Sequence, residues 1–203
     1  MALLIRHFNK GNVYTKFVAL GMVFCFLGDV INLNIIPGMN SFSISTFTSI
    51  AFFGLAHLFF IFAYVKTAKS FGITVFRKEF FIGMVFFWGS TFSAWWFLVF
   101  SVNKSFMAYG VLAYGLWVST MAAFSWPLLR VHRKYILAAA GSFMFVISDL
   151  FLAATGIGGI VVPFRDAIIW ATYVLALSGI IYSGQFISAK FITDQYKNKN
   201  QSI

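Results

Sequence analysis

Three titratable side chains stand where a hydrophobic chain has no need of them: Asp29 in "VFCFLGDVINL", His57 in "GLAHLFF" and Asp149 in "GSFMFVISDLFLA". Each sits deep in an apolar run. A charge at the centre of a membrane-spanning helix costs about 2.5–3.5 kcal/mol on insertion scales. A group kept there needs internal partners and marks a candidate functional site. Two carboxyls and an imidazole are the ingredients of general acid–base chemistry and of proton relays, since each can hold or release a proton where water is scarce. Two carboxyls sharing a dry site do not both ionise easily, which lets one serve as acid while the other activates water.

The spacing around these residues predicts that they meet. Asp29 and Asp149 each follow a glycine by eight residues, Gly21 and Gly141, and each is preceded by a small residue, Gly28 or Ser148. Asp29 lies 13 residues past Lys16 and Asp149 lies 15 past Lys134. At ~1.5 Å rise per residue, both carboxyls then stand ~20 Å above the inner membrane boundary, in one layer. His57, nine residues before Lys66, comes ~14 Å above it, about one turn below. Gly21, Cys25 and Asp29 fall at i, i+4 and i+8, as do Gly141, Phe145 and Asp149. Those rows put small residues beside the carboxyls, where neighbouring helices can approach closely. The expectation is one polar cavity enclosed by the first, second and fifth helices and lined by Asp29, His57 and Asp149.

The elements that carry these residues are transmembrane helices. Of 203 residues, 61% are hydrophobic, 28 are Phe and only 10% are charged, against roughly 25% charged in a soluble domain. Hydropathy predicts six spans, at 14–36, 45–64, 80–100, 106–126, 135–154 and 166–189, each long enough for a hydrocarbon core of ~30 Å. The fold expected is an all-α polytopic bundle of about six helices. Residues 1–203 read as one integral membrane domain with polar flanks at 1–13 and 190–203. The opening "MALLIRHFNKGN" has too short an apolar start for a cleaved signal peptide, so the first span serves as an uncleaved anchor. Pro37, Pro127 and Pro163 fall at or near span ends, where a missing N–H costs least.

The net charge of +10 does not point to nucleic acid, because it alternates with the loops. Thirteen of the 15 basic residues fall on one side, in the N-terminal flank, the loop at 65–79, the loop at 130–134 and the tail, leaving Lys104 and Arg165 for the other. The positive-inside rule then puts both termini in the cytoplasm, with binding of anionic lipid as a secondary role for the basic loops.

Most other polar residues have plain explanations. Glu79 sits beside Arg77 and Lys78, Asp194 lies in the polar tail, and Asp166 can cap the sixth span. His7 and His132 read as solvated loop residues, and Cys25, alone in a span, reads as packing. "NKS" at Asn103 has the form of a glycosylation sequon in a very short loop and carries no weight. The aromatic stripes, Trp95 and Trp96 included, read as lipid-facing and interhelical packing. No His/Cys cluster has metal-ligand spacing, so neither metal nor other cofactor is expected.

The motifs "GMVFCFLGD", "GLAH", "GSFMFVISDLFLA" and the closing "YSGQFI" resemble, in the same order, those of the YhhN family of membrane lysoplasmalogenases. The resemblance runs from Gly21 to Ile187. It implies a multi-pass hydrolase that cleaves the vinyl ether bond of a lysophospholipid substrate, giving a fatty aldehyde and a glycerophospho-alcohol. It also implies that Asp29, Asp149 and His57 are catalytic and that Tyr182 and Gln185, from the sixth span, contact substrate. Members of that family carry two further helices before the first Asp motif, whereas this chain reaches that motif in its first span. A carboxyl pair suits the chemistry, because vinyl ether hydrolysis needs an acid, a base and a water. Two other readings remain open from the residues alone: a small transporter or proton-coupled channel with a buried Asp/His relay, and a structural membrane protein whose Asp residues join helices.

Reporter fusions test the topology. Reporters at both termini and in the 65–79 loop are expected to score as cytoplasmic; an external C-terminus would require an odd number of spans and would remove the common layer of Asp29 and Asp149.

Overall fold

The computed structural model describes residues 12–33, 42–131 and 133–200, without the side chains of 42–43 and 185–200. Every regular element in it is helical. The helices are α1 (Val13–Asn32), α2 (Phe42–Ser70), α3 (Lys78–Trp95), α4 (Phe106–Ser125), α5 (Ile136–Gly156) and α6 (Arg165–Asn200). All six are long and apolar enough to cross a membrane, as expected from hydropathy.

The bundle is apolar outside as well as inside. Phe26, Phe81, Val85, Phe97 and Leu175 are exposed, the distribution required when hydrocarbon rather than water is the solvent. α1 packs mainly on α2, α3 on α4, and α5 on α6, with α4 also lying against α2 and α5. The α5–α6 seam brings backbone against backbone. A Cβ on Gly141 would stand 2.6 Å from the Ala176 carbonyl oxygen and 2.9 Å from the Ile180 nitrogen. Gly179 faces the Leu137 carbonyl at 2.6 Å in the same way. Two backbones in contact through paired small residues are a common basis of helix association in lipid, where the hydrophobic effect between helices is absent.

Helix ends differ from the hydropathy limits for local reasons. α2 runs six residues beyond 64 because Lys66 and Lys69 can lie along the boundary while their charged ends reach water. It stops where Gly72 takes φ +70, with Ile73 N–H on the Ala68 carbonyl and Gly72 N–H on that of Lys69. That pair of bonds is a Schellman motif, and the left-handed conformation is one glycine adopts without strain. α3 leaves α geometry at Trp96–Phe100, a π-helical turn closed by Ser101 N–H on the Trp96 carbonyl. Pro127 lies in the 3₁₀ segment Trp126–Arg130 that follows α4, so it interrupts no α-helical ladder. Pro37 and His132 lie outside the described residues, as does His7.

One end of the bundle is locked by tyrosines. The Tyr14 hydroxyl donates to the Ile180 carbonyl at 2.8 Å and lies 2.5 Å from Ser183 Oγ. Its ring packs edge-on against Tyr135 and tilted against Tyr64, whose hydroxyl meets Ser142 Oγ at 2.8 Å. At the same end Arg130 donates through Nε and Nη2 to Glu79 Oε1. Helices α1, α2, α5 and α6 are thereby joined below the layer of the acidic residues, and α3 is joined to the segment that follows α4.

Gly141→Ala is expected to cost ~1–3 kcal/mol, because its new Cβ meets backbone rather than a side chain that can turn away. Gly89→Ala, where a Cβ meets nothing within 4 Å, serves as the control. Thermal unfolding in detergent should show a fall of roughly 2–10 °C for the first variant and none for the second.

Candidate functional site

The carboxyl groups of Asp29 on α1 and Asp149 on α5 line one cavity of about 360 Å³, a volume within the range of small-ligand sites. Each is held by a phenol from a different helix. The Tyr173 hydroxyl, on α6, donates to Asp29 Oδ2 at 2.9 Å, and the Tyr114 hydroxyl, on α4, donates to Asp149 Oδ2 at 3.1 Å. Among the described residues neither Oδ1 has a hydrogen-bond partner, and neither belongs to the buried unpaired atoms. Both therefore remain open to the cavity. Asp29 and Asp149, expected to share a site, both line this cavity.

His57 stands behind that wall. It is fully buried, packed edge-on against Phe145 at 4.6 Å, and does not line the cavity. Its Nε2 lies 3.2 Å from the Tyr114 hydroxyl, so a chain of contacts runs from His57 through Tyr114 to Asp149. A phenol has one proton. When that proton goes to an ionised Asp149, the bond to His57 requires Nε2–H to donate, leaving Nδ1 as a bare acceptor. Nδ1 is indeed buried with no partner. When Asp149 is protonated and donates to Tyr114, the phenol proton turns to Nε2 and the imidazole hydrogen moves to Nδ1. The second arrangement holds one more proton than the first, on Asp149, and the other imidazole tautomer.

Asp29 has a different neighbour. Cys25, one turn back on α1, is buried and lies beside the same Tyr173.

All six helices contribute to the cavity, rather than the first, second and fifth alone. Ser45, Ser49 and Phe53 come from α2, Thr91 and Trp95 from α3, and Tyr114 and Val118 from α4. The π turn after Trp95 helps here, since it turns Leu98 and Val99 into the wall. Trp95 itself is buried and donates Nε1–H to the Ala108 carbonyl at 2.7 Å, whereas Trp96 is half exposed. At the far end the cavity reaches Asn32, Gly156, Arg165 and Asp166, all at helix ends. Asp166 is in the first turn of α6 and 3.4 Å from Arg165; it follows the first helical residue and does not cap it.

Tyr182 is placed elsewhere. It is 51% exposed on the outside of α6 and is not part of the cavity. Tyr173 lines the cavity instead, and helical geometry gives the reason: nine residues at ~100° each turn through about two and a half revolutions, so the two phenols face opposite ways. The Gln185 side chain lies outside the described residues. Tyr114 and Tyr173 were not singled out from the sequence, where phenols within spans are indistinguishable from packing aromatics until their partners are known. Among the described residues no group of three or more His, Cys, Asp or Glu side chains comes together.

The arrangement of motifs is matched along the chain by a single family. The sequence profile described as the YhhN family covers residues 1–184. The chain belongs to the YhhN family. The match takes in both Asp motifs, His57, both phenols and Arg165, and extends the resemblance read from Gly21 onward back through the first residues. No curated protein and no solved structure matches the chain.

The Tyr114 hydroxyl serves two buried groups at once, so Tyr114→Phe strands both. A loss of ~1–3 kcal/mol is expected, the desolvation cost of leaving buried polar groups unpaired. Tyr109→Phe, at a half-exposed position on the same helix, should stay within about 0.5 kcal/mol. Parallel unfolding of the two variants checks this.

Proposed function

We propose that this YhhN protein is a membrane-embedded hydrolase acting on the vinyl ether bond of lysoplasmalogens. The observation that carries the reading is the pair of carboxyls, each fixed at Oδ2 by a phenol and open at Oδ1, on one cavity inside a membrane-spanning bundle. The family resemblance supplies the substrate class; the site supplies the groups that such a reaction needs.

The reaction begins with protonation of the vinyl carbon remote from oxygen. One carboxyl, carrying a proton, delivers it there. The double-bond electrons form the new C–H bond, and the ether oxygen shares its electrons to give an oxocarbenium ion. The second carboxyl, ionised, takes a proton from water as that water adds to the cationic carbon, which yields a hemiacetal. Collapse of the hemiacetal breaks the bond between this carbon and the glyceryl oxygen. The hydroxyl proton leaves to a carboxylate, and a proton reaches the departing oxygen. One water is consumed, and the products are a fatty aldehyde and a glycerophospho-alcohol.

The carboxyl that gave the first proton can regain one from the hemiacetal, so the pair ends as it began. Positioned acid–base groups of this kind contribute ~10²–10⁴ in rate. The dry wall matters too, because charge developing on the oxocarbenium ion is felt more strongly by a carboxylate where water is excluded. His57 acts through Tyr114 and touches no substrate; it is a positioning residue for Asp149.

Asp29→Asn and Asp149→Asn separate chemistry from packing. Asn keeps a carbonyl oxygen to accept from the phenol but cannot exchange a proton. Purified wild type incubated with lysoplasmalogens should release free aldehyde, and ordinary lysophospholipids should give none. Each Asn variant should lose roughly 10²-fold or more of that release, while thermal stability changes by no more than the ~0.6–2 kcal/mol of a polar contact in a membrane. Turnover close to wild type in both stable variants would exclude the carboxyl assignment.

A further inference from the structure

The outer end of the cavity holds a cation that the acid–base chemistry does not use. Arg165 opens α6 and lines the cavity, together with Asn32, Thr46 and Gly156. Its Nε donates to Thr155 Oγ1 at 2.8 Å, which anchors the plane of the guanidinium against the end of α5. Nη2 points at Gly156, within 3.9 Å of where a Cβ would stand. Among the described residues Nη2 has no acceptor. Nη1 faces only Asp166 at 3.4 Å, a carboxylate that is 81% exposed, and such wet pairs are worth little. A guanidinium fixed at its base and open along one edge is the donor geometry that phosphate oxygens match.

We propose that Arg165 binds the phosphate of the lysophospholipid and so sets which amphiphiles the cavity accepts. The inference rests on the proposed substrate class. Depth supports it. Arg165 is eight residues from Tyr173 along α6 and Gly156 is seven from Asp149 along α5, so the mouth lies ~10–12 Å from the carboxyls on both helices. In a lysoplasmalogen the phosphorus is five bonds from the vinyl ether oxygen, about 6 Å at ordinary bond lengths, and a phosphorus hydrogen-bonded to the guanidinium stands about 4 Å further in from it. Phosphate at the guanidinium therefore brings the vinyl ether to the carboxyl layer.

The site faces one end of the bundle. Glu79, Arg130 and the tyrosine cluster close the opposite end, while Arg165 belongs to the end that carries the fewest basic residues. With the topology expected from the basic loops, the lipid is received from the non-cytoplasmic leaflet.

Binding tests this without relying on turnover. The probes are a 1-O-alkyl lysophospholipid, which has no vinyl bond to cleave, the matching 1-O-alkylglycerol, which has no phosphate, and inorganic phosphate alone. Wild type in detergent is expected to bind the phospholipid at least tenfold more tightly than the alkylglycerol, with inorganic phosphate competing weakly. Arg165→Gln should abolish the preference by weakening the phospholipid about tenfold and leaving the alkylglycerol unchanged. Asp166→Asn, at an exposed position where folding is not at stake, should tighten the phospholipid by a few-fold, because the guanidinium loses its internal anion. Equal binding of the two lipids by wild type, or no effect of either variant, would overturn the assignment. Arg165-dependent binding in a protein that releases no aldehyde would instead leave the phosphate site standing and remove the hydrolase reading.

Discussion

A carboxyl group inside hydrocarbon has no water to turn to, and the bundle is arranged around that fact. Asp29 lies in the last turn of α1 and Asp149 about two turns from the end of α5, and each receives a phenolic hydrogen bond from a helix other than its own. Those two bonds fix relations that hydropathy alone leaves open. Tyr173 requires α6 to lie against α1 at the level of Asp29, and Tyr114 requires α4 to lie against α5 at the level of Asp149. The close α5–α6 seam at Gly141 and Gly179 brings the two requirements together, since it sets the depth of Tyr173 relative to Asp149. Burying polar groups in lipid is tolerable only when partners are supplied, and the chain supplies them one phenol at a time.

Packing is distributed unevenly for the same reason. The end with Tyr14, Tyr64 and Tyr135 is filled by rings that satisfy one another's neighbours, while the other end holds a cavity of about 360 Å³. An unfilled volume forfeits dispersion contacts along its whole lining. A bundle that keeps such a space must be held elsewhere, and the tyrosine end with its hydrogen bonds to Ile180 and Ser142 does that holding. The π turn at Trp96–Phe100 belongs to the open end as well, in keeping with the frequent occurrence of π geometry beside functional sites.

The spans and the all-helical class were legible in the sequence because they depend on a one-dimensional property: the length of apolar chain between polar boundaries. What sequence could not supply was azimuth. Motif resemblance points to Tyr182 and does not single out Tyr173, yet the two sit on opposite sides of α6, and only the packing of α6 against α1 and α5 decides which side is inward. His57 shows the intermediate case. Its place deep inside the bundle agrees with its burial, but whether it faced the cavity or stood behind Tyr114 depended on α4, an element whose phenols look like ordinary aromatic packing. Arg165 was read as one of the two basic residues of the outer side and nothing more. Its place at the cavity mouth follows from the loop at 157–164, where Phe164 takes φ 56, a conformation no local pattern announces.

The two carboxyls are alike in their phenol, but not in what lies beyond it. Behind Tyr114 is an imidazole, whose Nε2 can donate to the phenol or accept from it, depending on the tautomer. Behind Tyr173 is a thiol, a weak donor and a weak acceptor. The Tyr114 hydroxyl can therefore donate to an ionised Asp149 or accept from a protonated one, according to which tautomer His57 holds, whereas the thiol beside Tyr173 offers no such choice. Two identical side chains thus acquire different duties from their surroundings. Under the proposed hydrolysis that difference has a use, because the reaction needs one group that holds a proton until the vinyl carbon is in place and another that remains free to take one from water. His57, buried and out of reach of any substrate, contributes to that division by what it does to the phenol in front of it.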